Sequence, residues 1–329
     1  MRTILVALML GAAAPVAAQD MSLCQNGTPQ ARIAGCTSFI SGGSPAPGLL
    51  AQAYVRRGIA YMANRQPDLA MSDFAQAISL DPHSPQGYLA RAYSDRMLQR
   101  FADALPDVNT AIQLKPDLAP AYVERGLDYR HLGRLDEAVA DFDRAISLAP
   151  NYPDAYDGRG IARALKGDYA NALTDFDKAL TLKPNDAGEL VNRANAYANL
   201  GRLDEALADF DQAIVLAPDM APAYANRGLL RYRRGELDAA MIDYNKAVAL
   251  DPTNAQALAN RGVALSKQGR YADALADFSQ ALRYAPNVAS LYVLRSRAER
   301  ALGQLDASSA DEAKAKAIDP GILERMSPG

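Results

Sequence analysis

A unit of 34 residues repeats without a gap from residue 51 to residue 322, eight times over. The copies occupy 51–84, 85–118, 119–152, 153–186, 187–220, 221–254, 255–288 and 289–322. Position 7 of every copy is arginine: Arg57, Arg91, Arg125, Arg159, Arg193, Arg227, Arg261 and Arg295. Position 23 is aspartate every time: Asp73, Asp107, Asp141, Asp175, Asp209, Asp243, Asp277 and Asp311. Proline holds position 32, from Pro82 to Pro320. A unit this short cannot cover its own apolar face, so the copies must stack and bury one another. This constraint excludes a globule built around one core and predicts a solenoid.

The third copy, APAYVERGLDYRHLGRLDEAVADFDRAISLAPNY, shows how one unit folds. Tyr122, Gly126 and Tyr129 form one stripe of a first helix, and Ala138, Phe142 and Ala145 form the stripe of a second. Gly133 makes the turn between them, and Pro150 breaks the chain before the next copy. Small residues at positions 8, 20 and 27 let the helices approach while aromatics fill the space between. Each unit therefore reads as two antiparallel helices.

This pattern closely resembles the tetratricopeptide repeat family, with an aromatic at 4, a small residue at 8, an aromatic at 11, alanine at 20, an aromatic at 24, alanine at 27 and proline at 32. The resemblance covers residues 51–322 and implies an all-α, right-handed α-solenoid of eight helix-turn-helix repeats. Departures are informative. Position 7 is usually leucine in the family and is always arginine here. Position 11 keeps its aromatic only in repeats 1, 3 and 5, and is elsewhere Asp95, Arg163, Arg231, Leu265 or Glu299. Repeat 2 carries Val108 at position 24 and Pro106 early in its second helix, which makes it the expected weak junction. Repeat 8 has Ser308 at 20 and Glu312 at 24, as expected of a terminal helix with a soluble outer face.

The chain starts MRTILVALMLGAAAPVAAQD: one basic residue, an apolar stretch and a small-residue cleavage site. That reads as a secretory signal peptide over residues 1–18, cleaved after Ala18, and predicts a periplasmic or secreted protein. No later stretch is long and apolar enough to suggest a membrane span. Export also accounts for the only two cysteines, Cys24 and Cys36, whose spacing outside the repeats suggests a disulfide. Thr28 and Pro29 read as the start of a helix carrying Ile33, Cys36 or Thr37, and Ile40, stopped by Gly42 and Gly43. Residues 19–48 are thus expected to be a stapled cap helix and linker, and 323–329 a short tail. With a net charge of −3, no tryptophan and no basic block, nucleic acid is excluded as the expected partner.

Helices in a hairpin run antiparallel, which brings position 7 level with position 23. Ion pairs such as Arg57 with Asp73, Arg125 with Asp141, Arg193 with Asp209 and Arg261 with Asp277 are the expected structural use of both series. In the family the first helices line the concave groove with positions 2, 5, 6, 9, 12 and 13. The carboxylate clamp of co-chaperone repeats needs lysine at 5, and none occurs here: the position runs Val55, Leu89, Val123, Asp157, Val191, Ala225, Ala259, Val293. Position 6 is asparagine in three consecutive repeats, Asn192, Asn226 and Asn260. A side-chain amide both donates and accepts, so the series is suited to hold the backbone of an extended peptide; it is similar to the asparagine ladder of the sugar-transferring tetratricopeptide enzymes. An ordinary exposed helix face explains the same residues. Groove positions also carry Arg56, Arg96, Arg130, Arg233, Lys267, Arg297 and Arg300 against Glu124, Asp154 and Asp157, a mildly basic face that favours an acidic partner segment. Val55, Ile59, Leu89, Tyr93 and Val123 suggest an apolar patch at the N-terminal end, or packing between repeats.

His83 and His131 are the only histidines, and no nucleophile, metal-ligand set or phosphate loop accompanies them. No cofactor, no metal and no enzymatic activity are expected. The sequence reads as a scaffold that binds another protein or an extended peptide. The alternative is an assembly subunit that organises a cell-envelope complex through its convex face and ends. Neither the partner nor the oligomeric state is specified by these residues.

Overall fold

Each 34-residue copy folds as a helical hairpin because its two apolar stripes can be buried only against each other and against the next copy. A computed structural model describes residues 21–42 and 45–327; the expected leader, residues 1–18, lies outside the described residues. A 3-10 turn (Met21–Cys24) precedes α1 (Pro29–Ser41). The hairpins follow: α2 (Pro47–Ala63) and α3 (Pro67–Leu80), α4 (Pro85–Met97) and α5 (Phe101–Leu114), α6 (Ala119–His131) and α7 (Leu135–Leu148). Next come α8 (Pro153–Leu165) and α9 (Tyr169–Leu182), α10 (Ala187–Asn199) and α11 (Leu203–Leu216), α12 (Ala221–Arg233) and α13 (Leu237–Leu250). The last are α14 (Ala255–Lys267) and α15 (Tyr271–Tyr284), α16 (Ala289–Ala301) and α17 (Leu305–Ile318), with a one-turn α18 (Ile322–Arg325). No strand occurs among the described residues, and the fold is an all-α solenoid. The chain divides into two compact units, residues 1–162 and 163–329.

Helix ends follow local chemistry. Thr28 Oγ1 accepts the Ala31 N–H at 3.2 Å and Pro29 occupies the first turn of α1. Asp186 caps α10 through the N–H groups of Gly188 and Glu189, and Asn254 caps α14 through that of Ala257. At position 15 the chain turns with positive φ. Six repeats place glycine there, with φ from +74° at Gly133 to +83° at Gly167. Repeats 1 and 2 force Arg65 (φ +58°) and Gln99 (φ +59°) into the same left-handed conformation.

Within the units the core is a series of aromatic rings set against backbone. Phe74, Phe142, Phe176, Phe210, Tyr244 and Phe278, all at position 24, are fully buried. Position 8 is small because the ring lies on it: a Cβ at Gly58 would stand 2.4 Å from Phe74 Cε1, and one at Gly262 would stand 2.6 Å from Phe278 Cε1. Repeat 2 narrows the difference in size, with buried Val108 at position 24 and Ala92 at position 8. Its helix α5 runs unbroken through Pro106, whose carbonyl accepts from Thr110 Oγ1 at 2.9 Å.

The ends differ from the sequence expectation in three ways. Helix α2 begins at Pro47, so the linker after α1 ends sooner than residue 48. The tail is not merely extended: α18 packs Ile322 against Ala289, Val293 and Ala315, with Ile318, Leu323 and Met326 around it. Ser308 is not part of an outer face. It is 1% exposed, because position 20 faces the partner helix of its own hairpin rather than the open end. At the other end Cys24 and Cys36 form a disulfide, buried with Phe39 and Ala53.

Candidate functional site

The arginines at position 7 are held first by their own hairpins. The guanidinium donates two N–H groups to the position-23 carboxylate, as Arg57 Nε and Nη2 do to Asp73 at 2.8 Å each. The same fork joins Arg125 to Asp141 at 2.7 Å, Arg193 to Asp209 at 2.7 and 2.8 Å, and Arg261 to Asp277 at 2.7 Å. Arg91 and Asp107, Arg227 and Asp243, and Arg295 and Asp311 repeat it. These aspartates are nearly inaccessible to water, so the fork supplies the charge and the donors that burial removes. In turn the Asp209 hydrogen bonds hold the Arg193 guanidinium above its already high range, with burial opposing, so the charge persists at any working pH.

A second edge of the same guanidinium reaches back one repeat. Nη1 of Arg125 donates to Asn109 at 2.7 Å, that of Arg193 to Asp177 at 2.7 Å, and that of Arg261 to Asn245 at 3.2 Å. Arg159 and Arg227 bond Asp143 and Asp211 in the same way, each at 2.5 Å. In repeat 1, where no repeat precedes, Arg57 uses Thr37 of α1 at 3.1 Å. The acceptors within the repeats stand at position 25, where five successive copies carry Asn or Asp; that periodicity was visible in the sequence and went unread. Also unforeseen, the position-11 arginines Arg163 and Arg231 donate to Asp175 and Asp243, each at 2.8 Å.

The asparagine series lies on the first helices of three consecutive hairpins. Asn192, Asn226 and Asn260 are each half-buried on α10, α12 and α14. Asn226 lines a pocket of about 120 Å³ together with Asn195 and Asn199 of α10, Phe210, Leu230 and Arg233. Neither Asn192 nor Asn260 lines that pocket, and Asn260 accepts a hydrogen bond from Gln256 Nε2 at 2.9 Å. Asn195 and Asn199 escaped the sequence reading because attention to position 6 alone missed a stripe at residues 192, 195 and 199 of one helix.

The proposed basic track is only partly available. Arg96 donates to Glu124 at 2.5 Å, Arg297 to the carbonyl of Met326, and Arg300 to Glu312. Lys267 sits 5.1 Å from the centre of the Tyr232 ring, and Arg233 faces the Asn226 pocket. Around Arg96 the charge balance is acidic instead. Asp128, 1% exposed, stands 3.9 Å from Arg96 Nε, and burial pushes its carboxyl up to about 7 against the pull of that arginine. Burial likewise raises Glu124 and Asp95. His131 stacks on Phe101 with ring centres 4.3 Å apart, which gives it a packing partner. The apolar patch also divides: Val123 is buried, as are Val191 and Val293 at the same position, while Ile59 and Tyr93 are exposed. Position 5 is therefore largely a packing position in this chain.

Among the described residues no group of three or more His, Cys, Asp or Glu is placed to hold a metal ion, and no helix is long and apolar enough to cross a membrane. Stacked two-helix hairpins with a side of graded polarity define an interaction module. Sequence profiles described as tetratricopeptide repeat match residues 51–84, 123–187, 187–220 and 255–288, and one described as TPR repeat matches 228–269. Together they span more than half of the chain, which belongs to the tetratricopeptide repeat family. No curated protein matches it. Solved structures share the fold at low identity. The Pseudomonas aeruginosa pilF structure is 21% identical with a TM-score of 0.56, covering 63% of this chain and 94% of that one. A tetratricopeptide repeat protein from Parabacteroides merdae is 20% identical with a TM-score of 0.62, covering 75% and 98%. The APC/C hetero-tetramer Cut9-Hcn1 gives 15% identity and a TM-score of 0.64 over 88% of this chain and 57% of that one.

Proposed function

We propose that the chain is an exported, non-catalytic scaffold whose repeats 5 to 7 hold an extended segment of a partner protein. The observation that carries this reading is the joining of Asn195 and Asn199 of one repeat with Asn226 and Arg233 of the next around one pocket. Amide groups on successive first helices can pair with both the N–H and the C=O of a passing backbone, which asks little of its sequence. Arg233, with Lys267 further along, favours an acidic residue beside the held segment, so binding should weaken as salt rises. The amino-terminal pattern, ending at Ala18, supports a periplasmic or secreted setting.

The test is a crosslinked pull-down from the native cell envelope, followed by titration of the captured segment as a synthetic peptide. Wild type is compared with Asn195→Ala/Asn226→Ala and with Asn192→Ala/Asn226→Ala/Asn260→Ala. Loss of the segment in both variants, with the circular dichroism spectrum unchanged, supports the groove. Equal binding by all three proteins overturns it and moves recognition to the convex side or the ends.

A further inference from the structure

A larger pocket, of about 500 Å³, lies at the N-terminal end of the first unit, where α1 stands in for the repeat that would precede α2. Its size is in the range of small-molecule sites. One wall is apolar, formed by Val55 and by Ile59, which is 42% exposed. Arg32 of α1, Arg56 and Gln52 of α2, and Asp81 after α3 supply the polar groups.

Among the described residues the charges lining this pocket do not pair with one another. The position-7 arginines are fixed by carboxylates within hydrogen-bond distance, as Arg57 is by Asp73 in the same hairpin. Arg32 Nε, by contrast, is buried from water and meets no acceptor among the described residues. A guanidinium N–H taken out of water without an acceptor carries an unrecovered desolvation cost. Neither Arg56 nor Asp81 has an ion-pair partner within 4.0 Å among the described residues, although both line the same space as Arg32. Two positive groups, one negative group and an apolar wall thus face a common volume without satisfying one another.

Arg32 is held in place by the cap. It lies one helical turn before Cys36, which the disulfide fixes to Cys24, and Gln30 Nε2 donates to Asn64 Oδ1 of the first hairpin at 2.7 Å. The pocket is formed where this stapled helix meets the first repeat.

We infer that this pocket binds a compact zwitterion with an apolar body, either a free apolar amino acid or a short apolar peptide. Its carboxylate lies between Arg32 and Arg56, its ammonium pairs with Asp81, and its side chain rests on Val55 and Ile59. Such charge-assisted contacts in a half-open site give dissociation constants of about 10 µM to 1 mM.

Isothermal titration of the full chain with leucine, Leu-Leu, leucinamide and 4-methylpentanoate tests the assignment and separates the two sources. Leucine or Leu-Leu should bind, and leucinamide, lacking the carboxylate, should bind at least about tenfold more weakly. Arg56→Gln should weaken the zwitterion by about tenfold, and Arg32→Gln should do the same if α1 keeps its place. Asp81→Asn should weaken leucine or Leu-Leu while leaving 4-methylpentanoate, which has no ammonium, unchanged. Cys24→Ser/Cys36→Ser should release the ligand by freeing α1. No binding of leucine or Leu-Leu up to about 10 mM overturns the inference, as does binding indifferent to Arg56→Gln, a variant outside the cap helix.

Discussion

At the scale of single residues, the position-7 arginine is a three-way joint, tying its own hairpin together and reaching the hairpin before it. Removing it leaves a buried carboxylate without its charge partner, the costly half of a buried pair. Arg193→Met should therefore destabilise by about 2–4 kcal/mol, and Arg193→Met/Asp209→Leu should recover most of that loss in urea unfolding. Asp128 makes the opposite prediction. Burial raises its pKa in the folded chain to about 7, so between the unfolded carboxyl range and that value the folded state holds more protons. Stability must then fall as pH rises through this window and remain lowered above it. Asp128→Asn should raise the unfolding free energy at pH 8 by about 1–2 kcal/mol and flatten the profile between pH 4 and 7. An unchanged profile would place the titration elsewhere in the Arg96 cluster. The arginine and aspartate series were plain in the sequence, but their second partners at position 25 required knowing which repeat lies behind which.

At the scale of elements, two rules set each hairpin: a ring at 24 against a small residue at 8, and a left-handed turn at 15. Repeat 2 departs from both patterns: it lacks the ring, with Val108 at 24 and Ala92 at 8, and it makes the left-handed turn with Gln99 instead of glycine. Gln99→Gly should stabilise by about 0.5–1 kcal/mol, because glycine takes positive φ without a Cβ clash. Val108→Phe alone should destabilise by about 1–3 kcal/mol through overpacking, and Ala92→Gly/Val108→Phe should regain much of it. Thermal melts of the two variants decide whether size matching between these positions governs the hairpin. The pairing of 8 with 24 was legible in the sequence as small and aromatic columns. The sign of a change in repeat 2 was not, since it depends on the space left when both partners depart together. Proline at 106 was read as part of a weak junction, and α5 continues through it without a break.

At the scale of the whole molecule, a solenoid's stability is a chain of local terms, so damage at one end should remain there. Cys24→Ser/Cys36→Ser removes a cross-link of sequence separation 12, worth about 3 kcal/mol in the chain-entropy account. Hydrogen exchange should lose protection in α1 and the first hairpin while residues 187–288 keep theirs; loss throughout would mean the array unfolds as one cooperative body. The sequence by itself determined the repeat, its boundaries, the two-helix unit and the arginine and aspartate columns, because a strict period writes the same local physics eight times. It could not determine which groove groups are available. Arg96 and Arg297 look alike as letters to Arg233, yet the first two meet a carboxylate and a carbonyl from distant positions, and the third faces open space. The same holds for Arg32, Arg56 and Asp81, brought around one cavity by three separate helices and their connections. Availability is decided by neighbours across a junction, and only the tertiary structure supplies those, because stacking brings together residues that no local period relates.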